Sequence, residues 1–421
     1  MSACINCKNQ NLIKIIKIGS QPLSGIFLNK IIKKPKKYSL DLFQCSKCKL
    51  VQIGKIIKAQ KMFGDTYEYR TSLSKFMSQH INKKAKTLIK KRYVKKNSSI
   101  LDIGSNDGTF LNNFKHNQIL IGIDPSAKKF SNFYNKNIKT IFEYFSKENL
   151  NKFFKRSYKF DVISSFAMFY DISNPNKFCK DIKESLNKNG IWILEFSYLP
   201  LMLKNLTYDQ ICHEHVAYYS LNTFKKIAEK NRLKVIDLSF NEINGGSIEI
   251  ICAKKGSNHK VNSNKILKTL SEEKKINMKS FENFNKRIND LKYLLQYFLN
   301  LKSKKSIIAY GASTKGNVVL NHCNVNKSQI REICDGSSRK LSKFTPGTNL
   351  KIISKELMRK KNPDYLLVLI WSFRQEVINQ EINYLKKGGK LIFLLPRFHI
   401  VNKDNYKNYL NSNFSNLSYN Y

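Results

Sequence analysis

Arginine and acidic residues are scarce in this chain. Of its 75 Lys and Arg residues 65 are lysine, set against 30 Asp and Glu, for a formal net charge of +45 over 421 residues. Proteins that read nucleic-acid grooves cluster Arg and Lys on one face, interleaved with aromatics. Here the lysines are spread evenly and travel with Asn and Ile, the drift that an AT-rich coding sequence imposes. The charge reads as a solvated coat that draws small anionic substrates, and no specific nucleic-acid partner is expected. Long apolar runs are missing too. The longest, Tyr365–Trp371, is strand-sized, whereas a bilayer span takes roughly 18–20 residues, so no membrane partner is expected. The start, Met-Ser-Ala-Cys4, carries no hydrophobic leader. A cytoplasmic protein with reduced thiols is expected. Its nine cysteines, an odd number, suit free thiols and metal ligands better than a disulfide framework. The length fits two or three domains, and a monomer is favoured over an oligomer.

Cys4-Ile-Asn-Cys7 and Cys45-Ser-Lys-Cys48 are two C-x-x-C knuckles. Each turn presents two thiolates to one ion, and two such pairs close a tetrahedral site of the structural zinc type. Four thiolates leave no open position for catalysis. The metal would hold together a small module, residues 1–60, that buries too little core to fold alone. Beyond it Tyr67 and Tyr69 stand two apart, so in an extended segment they face the same way. A helix is predicted over roughly 72–91.

Residues 61–255 read as an α/β domain. Ser98–Leu111 is a buried strand, a glycine-bearing turn and a helix start, and 119–124 is a second buried strand ending in Asp124. Asp124 lies 20 residues past Gly104, the spacing that puts a carboxylate on ribose hydroxyls in a Rossmann-like unit. Asn106 stands where a dinucleotide fold would need a second glycine for its pyrophosphate. A cofactor with an adenosine and no pyrophosphate fits better, and S-adenosylmethionine is the obvious one. Asp102-x-Gly104-x-x-x-Gly108, with Ser105 and Asn106 in the turn, is similar to motif I of class I methyltransferases. The segment 140–145, ending in Phe145, resembles the one that covers the adenine. Strands at 160–168 and 190–195 continue a doubly wound sheet with its ligands at the strand C-termini.

The densest chemistry lies in Tyr208-Asp-Gln-Ile-Cys-His-Glu-His-Val-Ala-Tyr-Tyr219. Cys212, His213, Glu214 and His215 first suggest a metal nest, but the four cysteines upstream already supply a closed site. Taken in order, the double C-x-x-C module, the Asp-Ile-Gly-Ser-Asn-Asp-Gly turn, this stretch and Asn244-Gly245-Gly246-Ser247 resemble the sugar C-methyltransferases that act on nucleotide-linked 4-keto-6-deoxyhexoses. The resemblance covers nearly the whole chain. It implies methylation at sugar C3, next to the C4 ketone, with structural zinc in the N-terminal module. Loss of the proton beside the ketone needs a general base, and neutral histidine near 6.5 suits. It also needs donors aimed at the developing enolate oxygen. By the resemblance His215 is the base, Glu214 orients and polarises it or binds sugar, His213 belongs to the same catalytic cluster, and Tyr67 or Tyr69 donates to the enolate. Antibiotic-sugar members usually carry Tyr where this chain has Cys212, and a histidine after the 160–168 strand, where this chain runs Phe169-Tyr-Asp-Ile. Tyr170 is a candidate replacement for the missing phenol.

Residues 256–305 carry apolar positions at helical spacing, among them Leu291, Leu294, Leu295, Phe298 and Leu299, and read as linker helices with a solvated lysine face. From Ser306 a strand, a glycine turn and a helix recur. Gly311 and Gly316 have P-loop spacing, but Asn317-Val318 replace its Lys-Ser/Thr. Ser313, Thr314 and Lys315 at a helix N-terminus still suit an anion. Residues 306–421 thus read as a second Rossmann-like lobe. By the resemblance it holds the nucleotide-sugar against the central domain, with Lys315, Phe344–Gly347, Trp371, Phe373 and Arg374 lining the cleft beside Asn244, Gly245, Gly246 and Ser247. Two other readings stand beside this one: transfer to a sugar oxygen or nitrogen, and a zinc-ribbon RNA-binding or RNA-modifying protein.

Overall fold

The computed structural model describes residues 3–57, 62, 69–115 and 117–410. Three sheets and one short ladder build it, and each is tied to the site below. Near the N-terminus β1 (Leu12–Ile16) pairs with β4 (Leu42–Cys45), and β4 with β5 (Val51–Ile53), all antiparallel. A two-stranded ladder, β2 (Ser20–Gln21) with β3 (Tyr38–Ser39), closes the intervening loop.

The central sheet comprises β6 (Ser99–Ile103), β7 (Ile119–Ile123), β8 (Ile138–Ile141), β9 (Phe160–Phe166), β10 (Leu186–Ser197), β12 (Leu233–Asn241) and β13 (Ser247–Lys254), in the order β12-β13-β10-β9-β6-β7-β8. β13 runs antiparallel to both neighbours; the other pairings are parallel. β6 is buried at all five positions, as an inner strand covered on both faces must be. Strand order reverses between β6 and β9, so the carboxyl ends of those two strands open the crevice where ligands bind in such sheets. α1 (Lys75–Lys90) lies over one face, starting at a Ser74 cap that accepts from Met77 N–H. α2 (Lys147–Phe154) and α3 (Pro175–Ser185) cover the other end of the crevice.

The helix expected after Gly108 is not an α-helix. Only a 3-10 turn forms, Leu111–Asn113, where an asparagine side chain takes up the local carbonyls: Asn113 Nδ2 donates to Thr109 O at 2.7 Å and to Phe110 O at 3.2 Å. Such local side-chain bonds compete with helix propagation.

β11 (Ala217–Tyr218), which follows α4 (Leu199–Lys204), does not join the central sheet. It pairs with β5, giving the N-terminal sheet the order β1-β4-β5-β11. The histidine-rich stretch is therefore held by the N-terminal module. α5 (Leu221–Lys230) then leads back to the central sheet. α6 (Ser263–Glu273) and α7 (Met278–Leu301) span the expected linker. α7 buries Phe281, Phe284, Ile288, Leu291, Leu295, Phe298 and Leu299, each worth about 1.5–3 kcal/mol of hydrophobic stabilisation. Asn285 on α7 also exchanges hydrogen bonds with β1, accepting from Lys17 N–H at 2.9 Å and donating to Ile15 O at 2.7 Å.

The third sheet contains β14 (Ile307–Tyr310), β15 (Glu332–Asp335), β16 (Lys351–Ser354), β17 (Tyr365–Val368), β18 (Lys390–Phe393) and β19 (His399–Val401), ordered β16-β15-β14-β17-β18-β19 with only β19 antiparallel. Its first helix, α8 (Thr314–His322), follows the glycine turn as expected, capped by Ser313. α9 (Lys355–Lys361) and α10 (Arg374–Gln380) complete the features used below. The fold is α/β with a thiol-bearing N-terminal module, a central Rossmann-like sheet and a second Rossmann-like sheet. Among the described residues no helix is long and apolar enough to cross a membrane.

Candidate active site

The two C-x-x-C turns have the same geometry. In each, the first cysteine's carbonyl accepts from the residue four positions on, Lys8 N–H at 2.9 Å and Lys49 N–H at 3.0 Å. Lys8 and Lys49 both sit at φ 62°. The four Sγ atoms lie within 4.8 Å of one another, with Cys4–Cys48 and Cys7–Cys45 both at 3.5 Å. Zinc–sulfur bonds of 2.3 Å in a tetrahedron put sulfurs roughly 3.8 Å apart, so the cluster fits that ion.

A cavity of about 480 Å³ opens at the switch point of the central sheet. Asp102, Gly104, Ser105, Asn106, Asp124 and Phe145 all line it, which brings together every expected cofactor residue except Gly108. Gly108 acts from behind. At φ 75°, a Cβ there would stand 2.8 Å from the Tyr134 ring. Tyr134 in turn hydrogen-bonds Ser105 Oγ at 2.8 Å and donates to Asn106 O at 3.0 Å, so it buttresses the turn. Asp124 accepts from Asn106 N–H at 2.9 Å and Ser126 N–H at 2.6 Å. Burial pushes Asp102 up to about 8, against a hydrogen bond from Ser164 that lowers it. Carboxylates on the walls suit a cofactor carrying a sulfonium and an ammonium group. α1 closes one side through Met77 and Ile81, which sequence reading did not foresee; Ser74 Oγ, its cap, also donates to Glu376 on α10 at 3.0 Å. Tyr69 stands at the wall, half-exposed. Tyr67 lies outside the described residues.

Below the cavity, His213 and Glu214 form a turn closed by His215 N–H donating to Cys212 O at 3.2 Å. The turn fans its three side chains apart. His213 faces the β3 loop, with Nε2 3.2 Å from Tyr38 O, and burial depresses it to about 4. His213 thus packs on β3, whereas His215 packs on Tyr170. His215 lies against Tyr170, ring centroids 4.1 Å apart, with its ring toward the Gln210 carbonyl; burial and then the charge of Lys315 push it down to about 3. That lies well below the value near 6.5 taken from sequence, because the site is far drier than a model imidazole's surroundings. Glu214 points elsewhere, toward Gly25 and Thr314: a Cβ on Gly25 would overlap Glu214 Oε1 and stand 3.2 Å from Thr314 Oγ1. Among the described residues no hydrogen bond joins Glu214 to His215; the carboxylate sits against Gly25 and Thr314 instead. Burial raises Glu214, and its Oε2 is buried without a hydrogen-bond partner. Burial likewise keeps Cys212 a neutral thiol.

Gly25 belongs to the N-terminal module and was not foreseen. The overlap falls on the far end of a flexible side chain, so Gly25→Ala spares the backbone and displaces the Glu214 carboxylate. Turnover of the variant is expected to fall roughly 10–100-fold with cofactor affinity and zinc content unchanged, checked by steady-state kinetics, calorimetry and metal analysis.

The expected substrate residues converge on the seam between the central and C-terminal sheets. Lys315 Nζ donates to Asn244 Oδ1 at 2.7 Å, and Trp371 Nε1 to Asp209 Oδ2 at 2.9 Å. The Gly245 carbonyl accepts from Asn205 Nδ2 at 2.7 Å. Gly246 at φ 134° packs its backbone on Leu201. Ser247 Oγ donates to its own segment's Ile243 O at 2.9 Å, which makes it a strand-start residue. Arg374 is buried at the start of α10, its guanidinium 5.6 Å from the Tyr409 ring.

Three family models match the chain in succession: a zinc binding domain over residues 4–63, a methyltransferase domain over 71–238 and a C-methyltransferase C-terminal domain over 242–396. The C-methyltransferase NovU of Streptomyces niveus is 25% identical over 411 residues, 95% of this chain and 97% of that protein. In its order of domains and over nearly its whole length, the chain is similar to the C-methyltransferases with a zinc-binding N-terminus. It is an S-adenosylmethionine-dependent enzyme, and its zinc is structural. A tRNA U34 carboxymethyltransferase of Campylobacter jejuni is 36% identical, but over 125 residues, 27% of this chain and 41% of that protein. Among solved structures, an S-adenosylmethionine-dependent methyltransferase from Clostridium acetobutylicum aligns over 42% of this chain and 92% of its own at 15% identity, with a TM-score of 0.32.

Proposed function

We propose that this C-methyltransferase acts on a nucleotide-linked 4-keto-6-deoxy sugar and methylates C3, the carbon next to the ketone. The observation that carries the reading is the succession of Tyr170 and Asp171 along the chain. Tyr170 packs on the dry histidine His215, and Asp171 lines the cofactor cavity, so a carbon set between them meets base and methyl donor together. S-adenosylmethionine supplies the electrophilic methyl group when bound. His215, neutral through the working range, takes the proton beside the ketone. Lys315, Trp371 and Arg374 hold the nucleotide end at the lobe of residues 306–421, and the seam at Asn244–Gly246 sets the sugar's distance from the cofactor. The lysine coat raises the local concentration of the diphosphate.

The test is a panel of 4-keto nucleotide-sugars incubated with enzyme and methyl-labelled cofactor, read by mass spectrometry and product NMR. The expected product carries one label on the carbon beside C4. Label on oxygen or nitrogen, or none on any keto sugar, would sink the proposal.

A further inference from the structure

We propose that Asp171 is a further catalytic residue, whose carboxyl group donates the hydrogen bond that meets the ketone oxygen as charge develops on it. The assignment rests on the reading that a proton is removed beside a ketone.

Four observations place Asp171 there. It ends a 3-10 turn, Phe169–Asp171, separated from β9 only by Ala167 and Met168, and its N–H donates to Met168 O at 3.0 Å. β9 delivers that turn to the crevice, and Asp171 lines the cofactor cavity together with Met168. The preceding residue, Tyr170, packs on His215 and also accepts Val216 N–H at 2.8 Å. Consecutive residues thus face the base and the cofactor. Asp171 Oδ1 is buried with no hydrogen-bond partner, and so is Glu214 Oε2. An orphaned buried carboxyl oxygen costs several kcal/mol at most sites, and here both oxygens await a group that the protein does not supply. Finally, burial, and after it the charge of Glu214, holds Asp171 far above the usual carboxylate range, so its carboxyl stays an acid that can donate.

The surroundings do not cancel this. From the 212–219 segment Cys212, Glu214, Tyr218 and Tyr219 lie near enough to interact with it electrostatically, none of them a cation. On the cavity wall Lys177 is engaged by Asp181 at 2.7 Å. Lys315, from α8, donates to Asn244. Among the described residues no salt bridge reaches Asp171.

The electron count closes. The C–H pair becomes the C=C bond as His215 takes the proton, and the carbonyl π pair moves to oxygen, where the Asp171 O–H meets it. As the new C–C bond forms and the cofactor's C–S bond breaks, the ketone returns and Asp171 keeps its proton. His215 releases its proton to solvent.

The experiment measures deuterium exchange at the carbon beside the ketone, and methyl transfer, across pH 5–10 for wild type, Asp171→Ala and Asp171→Asn. S-adenosylhomocysteine affinity serves as the folding and cofactor control. Asp171→Ala is expected to slow exchange about 10²–10³-fold with that affinity retained. Asp171→Asn, which keeps a neutral donor, is expected to recover most of the rate. It should also lose the alkaline decline that wild type shows as the carboxyl pair ionises. Wild-type rate and profile in Asp171→Ala, or equal loss in both variants, would overturn the assignment. Absence of exchange in wild type itself would instead overturn the reading of the reaction.

Discussion

His215→Ala is expected to lower methyl transfer by about two to four orders of magnitude while S-adenosylhomocysteine binds as before. The ring is 8% exposed and lies outside the cavity lining drawn from residues 69–181, so cofactor binding does not depend on it. Because burial and then Lys315 push its pKa down to about 3, the ring is in the neutral base form around neutral pH. Protonation disables the base, and it begins only as pH falls toward 3. The rate should therefore show no decline near pH 6.5, where an ordinary histidine titrates. A variant with full activity, or a wild-type profile with an acid limb centred near 6.5, would remove His215 from the role.

Stripping the zinc is expected to abolish methylation and spare cofactor binding. Structural zinc contributes roughly 10–16 kcal/mol in small thiolate modules, enough to make the β1-β4-β5 sheet conditional on the metal. That sheet holds the catalytic segment. Ala217 pairs with Gln52, Tyr218 pairs with Val51, and Ile53 N–H donates to Val216 O at 3.0 Å. Gly25, seated against Glu214, hangs from the same module. Among the described residues, none that lines the cofactor cavity does. Chelation, or Cys45→Ser, should thus separate the two functions: S-adenosylhomocysteine titrates normally by calorimetry while turnover is lost. Parallel loss of both, or turnover in zinc-free protein, would contradict this.

What was legible in the sequence was local. Cys4, Cys7, Cys45 and Cys48 are two four-residue turns, and spacing alone specifies each. Gly104 and Asp124 bracket one βαβ unit, whose spacing reports the crevice. The alternation of strands and glycine turns foretold both Rossmann-like sheets. The rest depends on long-range assembly. Nothing in the chain marks Gly25 as a neighbour of Glu214, 189 residues on, until β4 and β5 fold against β11. His213 and His215 look equivalent in a list of residues, yet a turn sends one to Tyr38 and the other to Tyr170. The helix after Gly108 was misread because asparagine's competition for backbone carbonyls depends on where the side chains reach. Asp171 carried one signal: an acid a few residues past a buried strand's C-terminal end, where α/β sheets keep their ligands. Its meaning required Glu214 beside it.

The central claim is that this enzyme makes carbon nucleophilic by removing a proton next to a ketone. Incubating it in heavy water with a 4-keto-6-deoxy nucleotide-sugar and S-adenosylhomocysteine isolates that step, since no methyl group is available. The account predicts deuterium at the carbon beside C4, dependent on His215 and on zinc. A substrate that is methylated in the complete reaction yet takes up no deuterium there, with or without the cofactor analogue, would contradict it.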